Sequence, residues 1–80
     1  MLPGMPRSLA RLQDDIAANT RLLRKRANLS QEGLALAAEV DRTYVSQIER
    51  GLGNPSIAVL ERLAGVLRVD VSDLLKKRAR

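Results

Sequence analysis

Five polar side chains between residues 42 and 50 have the types and the spacing to contact the edges of base pairs. They fall at i, i+1, i+4, i+5 and i+8, so an α-helix would place them along a single stripe; they are Arg42, Thr43, Ser46, Gln47 and Arg50. An arginine pairs with the guanine edge through two hydrogen bonds, a glutamine amide pairs with the adenine edge, and a threonine methyl can meet a thymine methyl. The stripe alone fits the ordinary polar face of a surface helix equally well.

Two short helices joined by a tight turn are predicted to position this stripe. The first runs from about Gln31 to Ala38 and is capped by Ser30, and the second runs from Arg42 to about Arg50 and is capped by Asp41. Apolar residues at helical spacing face inward; they are Leu34, Ala35 and Ala38 in the first helix and Val45 and Ile48 in the second. Two helices joined by three or four residues form the helix-turn-helix geometry, whose second helix fits the major groove.

Four motifs extend this pattern along the chain. They are LSQEGLA at residues 29–35, RTYVSQIERG at 42–51, GNPS at 53–56 and DLL at 73–75. With them the chain resembles the phage-repressor (Cro/C1, or XRE) helix-turn-helix family, and DRTYVSQIERG is similar to the pattern in controller proteins of restriction–modification systems. The resemblance covers roughly residues 16–75. It implies an all-α, compact five-helix repressor-like domain; the apolar spacing of this chain predicts in addition a first helix extended at its N-terminus.

Several residue roles follow from the resemblance. In the family, an arginine at the position of Arg24 pairs with a glutamate at the position of Glu49, so we expect this ion pair to tie the first helix to the end of the third. The resemblance also supports phosphate binding by Gln31, with support of the helix cap as the competing account. Glu39 stands where the turn usually has glycine or sometimes asparagine, and Arg68 replaces a common glycine after the fourth helix. A positive φ at Glu39 would cost about 1 kcal/mol.

Other residues near the stripe are candidates for contacts with the phosphate backbone. Arg50 is expected to grip the backbone rather than a base. Tyr44 can bring its hydroxyl to a phosphate, with pure packing as the alternative. Asn54 and Ser56 are further candidates, although Ser56 has helix capping as its other role. The predicted DNA-binding residues are therefore Gln31, Arg42, Thr43, Tyr44, Ser46, Gln47, Arg50 and Asn54.

A long first helix is predicted from Ser8 to Ala27. Its inward residues recur at spacings of three and four; they are Leu9, Leu12, Ile16, Thr20 and Leu23. Asp14 and Asp15 offer an alternative, later start. In the long helix, Leu9 and Leu12 either protrude and need a partner surface or fold back on their own domain. The prolines before this helix predict a flexible N-terminus over residues 1–7.

Two further helices are predicted after the motif. Ser56 caps the fourth, whose apolar stripe is Ile57, Leu60, Leu63, Ala64 and Leu67. Asp70 caps a short fifth helix from Val71 to about Lys76. Residues 8–75 are thus the predicted DNA-binding domain. Residues 76–80 form a basic C-terminal tail, either a solvated, frayed end or an auxiliary phosphate contact.

A domain of this size contacts only a few base pairs. Specific binding then usually requires two copies on a two-fold operator, with half-sites roughly 34 Å apart. The resemblance places the dimer contact at the fifth helix and its neighbours, where the apolar residues are Val69, Val71, Leu74 and Leu75. The alternative is that these residues complete the monomer core. Leu9 and Leu12 offer a second contact.

The composition argues against catalysis and metal chemistry. The 80 residues include no histidine and no cysteine, so imidazole bases, thiol nucleophiles and the usual zinc sites are excluded. We therefore predict no enzyme activity, no cofactor and no metal. The net charge of +5 favours an anionic partner, here double-stranded DNA. No apolar run is long enough to span a bilayer, and the absence of cysteine is compatible with a cytoplasmic location.

Two functions of different classes remain open. The first is a sequence-specific, homodimeric DNA-binding transcriptional regulator, with a restriction–modification controller and a phage or bacterial repressor as equal subtypes. The second is an antitoxin-type interaction module whose main partner is a protein and whose DNA autoregulation is secondary. A basic amphipathic membrane binder is a third interpretation, which a compact cooperative fold in buffer would oppose.

Overall fold

The computed structural model describes residues 6–78 and contains only helices and turns over that range. Four α-helices follow one another: α1 (Leu9–Arg26), α2 (Gln31–Ala38), α3 (Arg42–Glu49) and α4 (Ile57–Leu67). A 3₁₀ turn (Val71–Leu74) completes the domain. The all-α fold is confirmed, but the predicted fifth α-helix is wrong.

The long first helix is present, and it starts where the cap predicts. The Ser8 hydroxyl accepts the backbone N–H of Arg11 at 3.1 Å, and 18 residues of helix follow. Its first apolar residues divide between the two alternatives, since Leu12 packs against the core while Leu9 is 60% exposed.

The core is formed by one face of each of the four helices together with the 3₁₀ turn. Its buried apolar residues are Ile16, Leu34, Ala35, Ala38, Val45, Ile48, Leu60, Leu63, Ala64, Leu67 and Leu74. Ile57, predicted to join the stripe of α4, is instead 80% exposed. It is the first residue of its helix, and a helical side chain leans toward the N-terminus, which carries Ile57 past the edge of the core. Val59, two residues later, is partly buried against the core.

The carbonyls at the end of the 3₁₀ turn and just after it are bonded to α1. Nδ2 of the buried Asn19 donates to the carbonyl oxygens of Leu74 and Lys76, each at 2.9 Å. In a continuing α-helix these carbonyls would accept N–H groups from four residues further on. A capping box between Asp70 and Asp73 fixes the start of the turn.

A buried carboxylate on α1 holds both ends of the described chain. Asp15, 1% exposed, accepts Nη1 of Arg7 at 3.0 Å and the backbone N–H of Arg78 at 3.2 Å. Arg7 also donates to the Leu75 carbonyl at 2.6 Å. The expected loose N-terminus and frayed tail are therefore anchored at these positions. Residues 1–5 and 79–80, the remainder of both segments, lie outside the described residues.

Three non-glycine residues adopt left-handed backbone conformations at the ends of helices. The φ angles are 58° at Asn28, 59° at Glu39 and 58° at Arg68. Asparagine tolerates this region, whereas glutamate and arginine are strained there by contact between Cβ and the carbonyl oxygen. The motif keeps the turn geometry that usually carries glycine and accepts the strain.

Replacing Glu39 by glycine should therefore stabilise the fold. We expect Glu39→Gly to raise the free energy of unfolding by about 1 kcal/mol, because glycine has no Cβ to strain. Ala37→Gly, on the exposed side of α2, is the matched control and should lower it by about 0.5–1 kcal/mol. Urea unfolding followed by circular dichroism measures both. Destabilisation by Glu39→Gly would show that the left-handed turn is not strained.

Candidate nucleic-acid interface

The orientation of α3 is set by what its inner face buries. Val45 and Ile48 are 0% and 2% exposed, and they pack among the side chains of the other helices. Asp41 begins the helix by accepting the backbone N–H of Thr43 at 2.7 Å. Since one face of α3 is buried, the opposite face is presented outward.

The five residues of the stripe predicted from the sequence lie together on this outer face. Four of them are exposed and one is half-buried; they are Arg42, Thr43, Gln47 and Arg50, with Ser46 half-buried. We call this set the polar ridge. It combines two guanidinium groups, two hydroxyls and one amide, four of them on the eight residues of α3 and the fifth on Arg50, its C-cap. The ridge has the donors and acceptors that base edges and phosphates require.

The end of α3 is tied to α1 and α2 through one buried carboxylate. Glu49 is 3% exposed, and Arg24 forms the ion pair implied by the resemblance, with Nε to Oε2 at 2.6 Å and Nη2 to Oε1 at 3.0 Å. The hydrogen bond that Arg24 donates to Glu49 raises the pKa of Arg24, against the opposing effect of burial. Nη1 of Arg24 also donates to the Leu29 carbonyl at 2.8 Å, and Arg21 donates to the Glu49 carbonyl. The helix pair α2 and α3 is thus anchored to α1.

Gln31 is placed differently from the predicted phosphate contact. Its side chain is half-buried, and Nε2 donates to Oε1 of Glu49 at 3.1 Å. The amide therefore helps to satisfy the buried carboxylate. The Ser30 hydroxyl accepts the N–H of Gly33 at 2.9 Å, so in the first turn of α2 the N–H groups of Gln31 and Glu32 are left without intrahelical partners.

Tyr44 and the loop after α3 form the edge of the site. The Tyr44 ring packs against the core, and its hydroxyl oxygen accepts the backbone N–H of Ser56 at 3.2 Å. The hydroxyl hydrogen stays available for another acceptor. Ser56 caps α4 by accepting the N–H of Val59 at 3.1 Å. Asn54 is exposed, and its Oδ1 accepts Nε2 of Gln13 at 3.3 Å.

The contact to Gln13 was not foreseen from the sequence. Gln13 and Asn54 are separated by 41 positions. Gln13 lies beside the apolar face of α1, three residues before Ile16, and a polar amide at that position gives no apolar signal. Only the packing of α1 against the loop brings the two amides together.

The predicted dimer residues differ in their availability. Leu74 is 0% exposed, so its assignment to a dimer interface is wrong: its side chain fills the monomer core between α1 and α4. Val69, Val71 and Leu75 are half-buried and pack against the core with part of their surface. Their outer parts are accessible.

The described residues form neither a metal-binding cluster nor a membrane-spanning helix. Residues 6–78 hold no group of three or more metal-binding side chains. None of the helices described is long and apolar enough to cross a lipid bilayer.

Two helices joined by three residues, with a polar ridge on the outer face of the second, define a helix-turn-helix domain. The chain belongs to the HTH_3 helix-turn-helix family, a family of transcriptional regulators, whose model matches residues 21–74. The resemblance to Cro/C1-type proteins is thereby confirmed.

Individual relatives share this domain. The control protein C.BamHI of Bacillus amyloliquefaciens is 44% identical over 50 residues, which are 62% of each chain, so the match spans less than two thirds of that relative. The crystal structure of a hypothetical transcription factor, NHTF, from Neisseria superposes with a TM-score of 0.82 at 36% identity and covers 96% of this chain and 88% of that one. SinR in complex with DNA gives a TM-score of 0.73 at 42% identity, with 76% and 98% coverage.

Breaking the ion pair at Glu49 should destabilise the domain strongly. We expect Arg24→Ala to lower the free energy of unfolding by about 3 kcal/mol, because it leaves a buried carboxylate without its cation. Lys76→Ala is the matched control. Lys76 pairs with Asp73 at 2.9 Å in a far more exposed setting, so its loss should cost less than about 1 kcal/mol. Equal effects of the two variants in chemical unfolding would contradict the role given to the buried pair.

Proposed function

We propose that the protein is a sequence-specific transcriptional regulator that binds a palindromic operator as a homodimer. The observation that carries this proposal is the polar ridge on an α3 whose other face is fully buried. A ridge held in this way enters the major groove with little side-chain rearrangement. Base discrimination requires such fixed donors and acceptors, because a mobile surface would not favour one base over another.

The order of residues along α3 suggests how the contacts are divided. Helix-turn-helix proteins place the start of the recognition helix against base edges, which assigns Arg42 and Thr43 to bases. Gln47, one turn further, is suited to adenine. Arg50 follows the last residue of the helix and is suited to the phosphate backbone.

Phosphate contacts are proposed on both sides of the ridge. On one side the first turn of α2 offers an anion the backbone N–H groups of Gln31 and Glu32, which the Ser30 cap leaves unbonded. On the other side are the Tyr44 hydroxyl and the Asn54 amide. The net charge of +5 supports this assignment, since phosphate neutralisation supplies much of the affinity of such proteins for DNA.

Dimerisation is proposed through the region around the 3₁₀ turn. Val69, Val71 and Leu75 keep accessible apolar surface there, and Leu9 adds a second exposed apolar side chain on α1. Two copies would double a short recognition site into a two-fold operator. The similarity to a control protein supports a restriction–modification controller, and a repressor is an equal subtype. The antitoxin alternative is not favoured, because the relatives described above include a control protein, a transcription factor and a protein in complex with DNA.

Operator selection from random duplexes tests the function. The protein is expected to select a two-fold symmetric sequence. In gel shifts, Gln47→Ala should lose about 1–3 kcal/mol of discrimination at a single base position in each half-site. Arg50→Ala should weaken binding to all sequences alike and reduce the salt slope by about 1. Arg62→Ala, exposed on α4 outside the ridge, is the control with the same charge change and should keep the selected preference.

Failure to select any sequence would contradict the proposal. Selection of a single, asymmetric half-site by a protein that sediments as a monomer would contradict the homodimer. Unfolding of each variant by circular dichroism confirms that lost binding does not reflect a lost fold.

A further inference from the structure

The loop between α3 and α4 carries a proposed phosphate contact on a backbone rich in glycine. Gly51 and Gly53 have φ angles of 73° and 74°, a conformation that glycine adopts without strain. Asn54 follows them and is exposed. A loop with two glycines can move unless other elements hold it, and a mobile Asn54 would lose entropy on binding DNA.

The two ends of this loop are held by the helix-turn-helix itself. The N–H of Leu52 donates to the Gln47 carbonyl at 2.9 Å. The Tyr44 hydroxyl accepts the N–H of Ser56 at 3.2 Å. Between these anchors, the hydrogen bonds to Gly53 and Asn54 come from α1.

Gln13 holds the tip of the loop from α1. Its Nε2 donates to the Gly53 carbonyl at 2.5 Å and to Oδ1 of Asn54 at 3.3 Å. The helix lies close by: a Cβ placed on Gly51 would come within 3.2 Å of Oδ1 of Asp14. Gln13 precedes residues 21–74, the part matched by the family, so this brace comes from a part of α1 outside the matched segment.

We propose that Gln13 is a positioning residue that presents the Asn54 amide to a DNA phosphate. A carboxamide has one acceptor oxygen and two donor hydrogens on its nitrogen. With Oδ1 turned toward Gln13, the Nδ2 donors of Asn54 face away from the helix, where a phosphate oxygen can accept them. The inference rests on the proposed function and adds a residue of α1 to the DNA-binding machinery.

Gln13→Met tests the proposal because it keeps side-chain length and helix propensity but removes both donors. Affinity for the selected operator is expected to fall about three- to tenfold, the effect of one neutral hydrogen bond. The loss should be the same for operator variants, and the salt slope should not change, because no charge is altered. Gln13→Glu should bind more weakly still, since a carboxylate attracts Nδ2 of Asn54 and turns its donors away from DNA.

A double-mutant cycle separates positioning from a general structural role. On an Asn54→Ala background, Gln13→Met should cause no further loss of affinity, because the group that it positions is gone. Nitrogen-15 relaxation of the Gly51 and Gly53 amides in the free protein should show a more mobile loop in Gln13→Met. That measurement needs no DNA.

The affinities of the variants separate the proposal from its alternatives. A loss in the wild-type background that disappears with Asn54→Ala supports the proposal. Unchanged affinity of Gln13→Met, or an equal loss in both backgrounds, overturns it while leaving the proposed function standing. Failure of the wild-type protein to select an operator overturns both.

Discussion

The position of α3 depends on the buried carboxylate of Glu49. Glu49, 3% exposed, is stable in that position only because Arg24 from α1 and Gln31 from α2 donate to both of its oxygens. An isolated charge at this depth would cost several kcal/mol. The requirement for these partners fixes the end of α3 against two other helices. Because these contacts hold the end of α3 in place, they also hold the polar ridge in a fixed orientation.

The long first helix is the element that carries this constraint to the rest of the domain. Near the end of α1, Arg24 holds the helix pair α2 and α3 through Glu49. Near its start, Gln13 holds the loop that follows α3. Between them, Asp15 and Asn19 hold the segments before α1 and after the 3₁₀ turn. One helix therefore places the outer face of α3, its flanking loop and the surface around the 3₁₀ turn in a common frame.

The elements that build the motif could be predicted because their signals are local. Ser30 and Asp41 cap the helices that they were expected to cap, and apolar spacing located the inner faces of α2 and α3. The polar side of α1 gave no such signal, since burial of Asp15 depends on partners elsewhere in the chain. Ile57 and Leu74 were misassigned for a related reason. Periodicity shows which side chains share a face, but not where the neighbouring helix ends.

The same limit applies to the interface. Residue type and spacing identified the polar ridge, and the resemblance supplied the pair of Arg24 with Glu49. Neither could reveal Gln13, because an amide beside the apolar face of a helix is recognised as a contact only when its distant partner is in place. The turn at Glu39 shows the converse case. The motif imposes a left-handed conformation on a residue that disfavours it, so the local preference yields to the packing of α2 against α3.

The central claim is that the outer face of α3 enters the major groove of DNA. Titration of the nitrogen-15-labelled protein with its selected duplex, followed by heteronuclear NMR, tests it most directly. The largest chemical-shift changes are expected at the amides of Thr43 and Gln47 and at the side-chain amide of Asn54. Shifts confined to the surface around the 3₁₀ turn, with the outer face of α3 unchanged at saturating DNA, would contradict it.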